Sequence, residues 1–332
     1  MIQRIRSLLT LKNRIRNNLR NQLSCEPTNS QVDWCFYDYL MFKIKYKGDL
    51  ETDYFGAQVF KKSDFIRKDS FANKSRFKWR NSITDPKYID LFDNKLWFYD
   101  NFKKYLGRNY INSNEVTYDE FCDFIKKCSG KIFVKYSYGY GGKDVRCFNI
   151  KSSSEIDKLY SELKGKDFCI EEELVQSDDI RQFSLNSVNT FRIVTIIGSS
   201  GKVHIAAAIL RIGVGDAQVD NFSSGGICAH IDCETGIIKT SGRTKDGKEF
   251  LISPDTGKQI IGYRIPDWEN YKDFAKLLAS QFTTVRYVGW DIIKDENGKF
   301  CVIEGNREAG VGMVESMMLG GVKGFYNRFL ND

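Results

Sequence analysis

The residue types best suited to chemistry lie near the C-terminus, in the run Val288-Gly289-Trp290-Asp291-Ile292-Ile293-Lys294-Asp295-Glu296-Asn297-Gly298-Lys299-Phe300-Cys301-Val302-Ile303-Glu304-Gly305-Asn306. Asn-Gly between two β-rich segments is a strong hairpin signal, because both positions of a two-residue turn must accept positive φ. With Asn297-Gly298 as that turn, Asp291 faces Glu304 and Gly289 faces Asn306. Period-two alternation then gathers the polar side chains on one face, with Trp290, Ile292, Cys301 and Ile303 on the other. Opposed carboxylates repel, and a shared cation reverses that cost. An all-oxygen set of two carboxylates and an amide suits magnesium, which keeps waters and phosphate oxygens in its shell. A solvated hairpin face with ordinary charges is the alternative, and the apolar opposite face argues against it.

A second group could meet phosphate. Lys135 ends an apolar strand, just before a turn containing Gly139, Gly141 and Gly142. Glycines let backbone N–H groups close around phosphate oxygens while a lysine supplies charge. The spacing matches neither a Walker A loop nor a G-x-G-x-x-G fingerprint. Downstream, Glu171-Glu172-Glu173-Leu174-Val175 follows a buried strand. Extended backbone there could pair with an adenine edge, and Asp178 or Asp179 could accept a ribose hydroxyl; taken by itself, the segment reads better as a solvated acidic loop. Arg192 and Arg211 fall at strand ends, with Asp220-Asn221-Phe222-Ser223-Ser224-Gly225-Gly226 after them. Arginines so placed suit a phosphoryl clamp, although surface arginines look the same in sequence.

These groups need a scaffold, and the pattern supplies one. Residues 90–107 read as a helix stopped by Gly107, and 268–282 as another. Strands are expected at 132–135 and 168–171, with hairpins over 191–213 and 287–304. Mixed strands and helices in this order indicate α+β subdomains. At 332 residues, 42% apolar and 28% charged, the chain is long enough for several packed units. Nine scattered cysteines, none in a C-x-x-C pair, and two histidines speak against a disulfide framework or a structural zinc site and for a reducing compartment. No apolar run nears the roughly 18 residues that span a bilayer.

Charge is uneven: residues 1–110 hold 22 Lys and Arg against 12 Asp and Glu, which suits an anionic partner. Residues 1–23 form a weakly amphipathic stretch with six basic residues and no acid. Two readings stand, a peripheral membrane anchor or a helix docked on its own domain. The basic, aromatic stretch 70–80 is read as one face of an amphipathic helix rather than a nucleic-acid surface.

In order, these segments resemble the ATP-grasp superfamily, most closely its sugar-transfer-associated branch. The resemblance rests on Lys135, the glycine loop, E-x-x-L at 171–174, S-V-N-T-x-R at 187–192, Asn221 with Gly225-Gly226, and D-x12-E-x-N at 291–306. It implies an ATP-grasp fold behind a basic, mostly helical N-terminal region: a segment 1–25, a subdomain 26–110, a lid 111–170 and a catalytic subdomain 171–332. It also implies that Lys135 and Lys95 contact ATP phosphates, that the backbone at Glu172 and Leu174 reads adenine, and that Asp291, Glu304 and Asn306 hold two magnesium ions. Arg192 and Arg211 would stabilise the γ-phosphate and an acyl phosphate, and Asn221 would help hold phosphate or metal. One departure stands out: relatives carry Pro-Gly soon after the asparagine, whereas this chain continues Arg307-Glu308-Ala309-Gly310.

The implied activity joins a carboxylate to an amine at the expense of ATP, in glycan or surface-polysaccharide assembly. Its setting is the cytoplasm, with association to the inner membrane face or a glycosyltransferase through residues 1–23. A phosphotransferase acting on a sugar-linked substrate and a non-catalytic scaffold are the rival readings. No nucleic-acid partner is expected.

Overall fold

The computed structural model describes every residue except 1, 72, 89–90, 129, 139–144, 218, 223–224, 308, 310 and 319–320. The chain opens with helices α1 (Ile2–Leu23) and α2 (Asn29–Tyr46), short α3 (Asp64–Lys68) and α4 (Asn73–Ile83), then α5 (Lys95–Phe102). A four-stranded unit follows, made of β1 (Tyr110–Asn112), α6 (Tyr118–Lys127), β2 (Ile132–Tyr136), β3 (Val145–Phe148), α7 (Ser153–Leu163) and β4 (Phe168–Glu172). After α8 (Asp178–Arg181) come β5 (Thr190–Ile197), β6 (Val203–Ile212), β7 (Ile227–Ile231), β8 (Gly242–Arg243) and β9 (Glu249–Phe250). The chain finishes with α9 (Trp268–Gln281), β10 (Tyr287–Lys294), β11 (Phe300–Asn306), α10 (Val311–Met318) and α11 (Lys323–Leu330).

Two antiparallel sheets result, ordered β1-β4-β2-β3 and β11-β10-β5-β6-β7-β8-β9. In the small sheet, Ile132, Val134 and Ile170 point into a core with Phe121, Ile125, Ile156 and Leu159 of α6 and α7. Strand alternation then turns Lys135, Cys169 and Glu171 to the opposite face. The large sheet is covered on both sides. Phe191, Ile193, Trp290 and Ile292 pack against α9 and the aromatics of α5. Val194, Ile196, Ile209 and Tyr287 pack against α10, α11 and Phe71.

Residues 90–107 depart from the single helix expected. Asn94 breaks it, because its side chain accepts from Trp97 N and so starts α5 anew; residues 91–93 form a separate short turn. The helix expected over 70–80 is α4, whose Trp79 meets the Tyr287 ring edge-on and the Tyr326 ring at a tilt. Helix α1 buries Ile15 and Leu19 in a core shared with α2. Four of its basic residues pair within the chain: Lys12 with Asp33, Arg14 with Glu51, and Arg16 and Arg20 with Glu26. A helix docked on its own domain is what this packing shows.

Close approach explains one glycine near the centre. A Cβ on Gly305 would stand 2.8 Å from a Phe98 ring carbon and 2.9 Å from one of Phe92. Gly305→Ala is therefore expected to cost about 1–3 kcal/mol through overpacking, read as a lower urea midpoint at unchanged m-value.

Candidate active site

The β10–β11 hairpin places Asp291 opposite Glu304 and Gly289 opposite Asn306. It does so by a different route from the one sequence suggests. The loop has three residues, not two: Asp295 N donates to Lys299 O at 2.9 Å, enclosing Glu296-Asn297-Gly298. Gly298 takes φ +81°, and the Asp295 carboxylate accepts from Asn297 N and Lys299 N. This side-chain capping favours the longer turn. The register next to the loop is thus Ile292↔Val302, and a bulge at Ile303 restores Asp291↔Glu304. The two departures cancel at the site.

Neighbouring strands then surround Asp291. It pairs with Arg192 of β5, and Thr190 of β5 pairs with Arg211 of β6, so both arginines share its face. Arg192 donates from Nε to Asp291 Oδ1 and from Nη2 to Oδ2 at 2.8 Å; Arg211 Nη1 reaches Oδ2 at 2.6 Å. Asp291 is only 2% exposed. Burial alone would raise its pKa, but the two guanidiniums overcome that and hold it at about 2. Arg211 also pairs with Asp220 at 3.1 Å, and burial raises the Asp220 pKa. Glu304 remains 40% exposed, 3.9 Å from Arg192, and accepts from Asn306 Nδ2 at 3.0 Å. Gly289 leaves the space that Arg192 and Ala309 fill, since a Cβ there would lie 2.7 Å from Arg192 Cδ.

This set fits magnesium. An ionised carboxylate and a second carboxylate open to solvent share one hairpin face, with the Asn306 side chain hydrogen-bonded to the second. Among the described residues no group of three or more His, Cys, Asp and Glu could hold a metal by itself. A two-acid set matches a cation that completes its shell with waters and phosphate.

The second cluster sits on the small sheet. Lys135 pairs with Glu171 and lies 3.3 Å from the Tyr99 hydroxyl. Arg108 Nε donates to Glu171 Oε2 at 2.7 Å. Burial pushes the Glu171 pKa up, but Arg108 and Lys135 bring it down to about 2. The Glu171 side chain is therefore turned inward as the partner of Lys135. Tyr99 and Arg108 were not singled out from sequence: neither belongs to a motif, and only the fold brings residues 99, 108, 135 and 171 together.

The remaining candidates are spread along the hinge. Glu172 N donates to Asn109 O, and its carboxylate accepts from Asn109 N at 2.7 Å, so that N–H is engaged within the protein. Leu174 packs with Ile293 and Cys301. A cavity of about 340 Å³ borders Glu172, Leu174, Val175 and Asn297, and another of about 370 Å³ borders Glu172, Lys103, Lys104 and Lys299. Asp178 is exposed at the start of α8. Asp179 pairs with Lys294 at 2.8 Å. Lys95 N donates to Ser137 O at 2.8 Å, seating α5 beside the end of β2, and Asn221 O accepts from Gly226 N. Gly139, Gly141 and Gly142 lie outside the described residues.

Acid should expose both clusters. Asp291 and Glu171 have depressed pKa values in the fold, so they stabilise it above their unfolded values and lose that contribution as pH falls toward about 2. Each is worth of the order of 3 kcal/mol by linkage. Stability measured by urea unfolding should thus fall steeply below about pH 4.5, and Glu171→Gln should flatten part of that slope.

Residues 85–324, well over half of the chain, match the family model described as sugar-transfer associated ATP-grasp. No curated protein matches the chain. Solved structures with similarity include N5-carboxyaminoimidazole synthetase from Staphylococcus aureus complexed with ADP, at 11% identity and a TM-score of 0.44, covering 68% of this chain and 47% of that one. The ATP-grasp ligase PsnB complexed with its minimal precursor matches at 13% identity and a TM-score of 0.45, covering 77% and 67%. D-alanyl-alanine synthetase A from Vibrio cholerae matches at 13% identity and a TM-score of 0.40, covering 69% and 59%. The chain spans about half the length of the first of these. With the family match running from just before α5 into α11, this chain belongs to the sugar-transfer associated ATP-grasp family.

Proposed function

We propose that the protein is a magnesium-dependent ATP-grasp ligase that activates a carboxylate as an acyl phosphate and joins it to an amine in glycan or surface-polysaccharide assembly. The observation that carries this reading is the buried, ionised Asp291 set opposite Glu304 with Arg192 and Arg211 on the same face. Asp291, Glu304 and Asn306 would hold the magnesium, as two ions. When bound, the metal supplies charge neutralisation and orientation of the phosphate oxygens. Lys95 and Lys135 contact the phosphates, and the hinge around Leu174 borders the adenine. Nine free thiols suit a reducing, cytoplasmic setting.

In the reaction a carboxylate oxygen attacks the γ-phosphorus, and the bond to the β,γ-bridging oxygen breaks to release ADP. An amine nitrogen then attacks the acyl carbon, inorganic phosphate leaves, and the nitrogen loses a proton. Arg192 and Arg211 donate to the oxygens on which negative charge builds. Their strands, β5 and β6, are the buried middle of the large sheet, which holds both arginines in place. Catalysis of this kind is mostly positioning and electrostatics.

Glu304 is the better residue to vary, since its 40% exposure makes a neutral replacement cheap in stability. Glu304→Gln should lower ATP-dependent ADP release by about 100-fold or more while the melting temperature stays close to that of the parent. Unchanged turnover would remove the metal assignment. Calorimetric titration of ATP with and without magnesium tests binding directly, and a phosphorylated product without a joined one would favour the phosphotransferase reading.

A further inference from the structure

The two clusters meet at one side chain. The Arg108 side chain is 1% exposed, and all five of its N–H donors are engaged. Nε meets Glu171, Nη1 meets Leu106 O and Val302 O at 3.0 Å each, and Nη2 meets the Tyr99 hydroxyl at 2.9 Å and Ile303 O at 3.2 Å. Val302 and Ile303 are the two residues of β11 at the register shift. A bulge takes carbonyls out of the ladder, and a buried carbonyl needs another donor. Arg108 supplies donors to both.

That bulge decides which way Glu304 points. Without it, the register set by the three-residue loop would continue, so that Asp291 would face Ile303 and Trp290 would face Glu304. A slip of one residue turns every side chain to the other face. Glu304 would then point toward the core of Phe92, Phe98 and Trp290, away from Asp291. The same guanidinium grips Glu171, which grips Lys135.

Resting on the ligase reading above, we infer that Arg108 is a positioning residue that holds the β11 bulge so that Glu304 stands against Asp291, and that ties Lys135 to the same frame through Glu171. The phosphate-contacting lysine and the metal carboxylate are thereby registered to one another across two sheets. Lysine cannot replace it, because a point charge that keeps Glu171 cannot also serve two carbonyls and a hydroxyl at fixed angles.

The test compares the full-length parent with Arg108→Lys by two readouts. Amide exchange without nucleotide should quicken at least 10-fold over residues 303–306, while amides of β5 and β6 keep their rates. In ADP titrations, the magnesium concentration giving half-maximal tightening should rise at least 10-fold. Parental exchange at 303–306 in Arg108→Lys, or an unshifted magnesium midpoint, would overturn the inference. Should Arg108→Lys fail to fold, Glu171→Gln keeps the shape and loosens the guanidinium, and at least a 3-fold change is expected in the same readouts; none would overturn it. If the parent shows no magnesium-sensitive ADP binding, the ligase reading fails and the exchange readout alone decides the bulge.

Discussion

A carboxylate buried among apolar strands is the constraint around which the large sheet is arranged. Asp291 lies on β10, a strand buried along nearly its whole length between β11 and β5, where an unpaired charge would cost several kcal/mol. Arg192 and Arg211 make it tolerable, and they can do so only if β5, β6 and β10 hold fixed registers. Asp220 then balances Arg211, and Thr190 donates to Asp220 from its backbone N at 2.9 Å. The chain of dependence runs from one ionised group through four partners to the order of the strands.

A similar economy governs the small sheet. Its core with α6 and α7 is apolar and self-contained, but its other face bears Lys135 and Glu171. The inward turn of Glu171 toward Tyr99 and Arg108 anchors the small sheet to α5 and to β11. Each ionic cluster carries opposite charges matched by hydrogen bonds, the condition under which burial of charge is sustainable. Apolar packing sets where the sheets lie, and these polar clusters set their register.

In the N-terminal region, part of the basic excess is met within the chain. Its basic excess suggested an anionic partner, yet α1 directs four cations at Asp33, Glu51 and Glu26. Surface pairs of this kind contribute no more than about 1 kcal/mol each. The burial of Ile15 and Leu19 is the larger contribution to holding α1 in place.

Local sequence determined the elements: alternation marked the strands, Gly107 and Asn297-Gly298 marked stops and turns, and the ordered motifs marked the family. It also determined the pairing of Asp291 with Glu304, although by assuming a two-residue loop and no bulge. Tertiary structure decided what short-range pattern does not encode. The Asp295 cap lengthens the loop, and Arg108, nearly 200 residues before Glu304, meets the bulge that compensates. Glu171 looked like one acid among three in a hinge, yet only the stacking of β4 between β1 and β2 turns it toward Lys135. Periodicity reports the face a residue takes within its own strand; which partner waits on that face depends on contacts between distant segments, and those exist only once the sheets have packed.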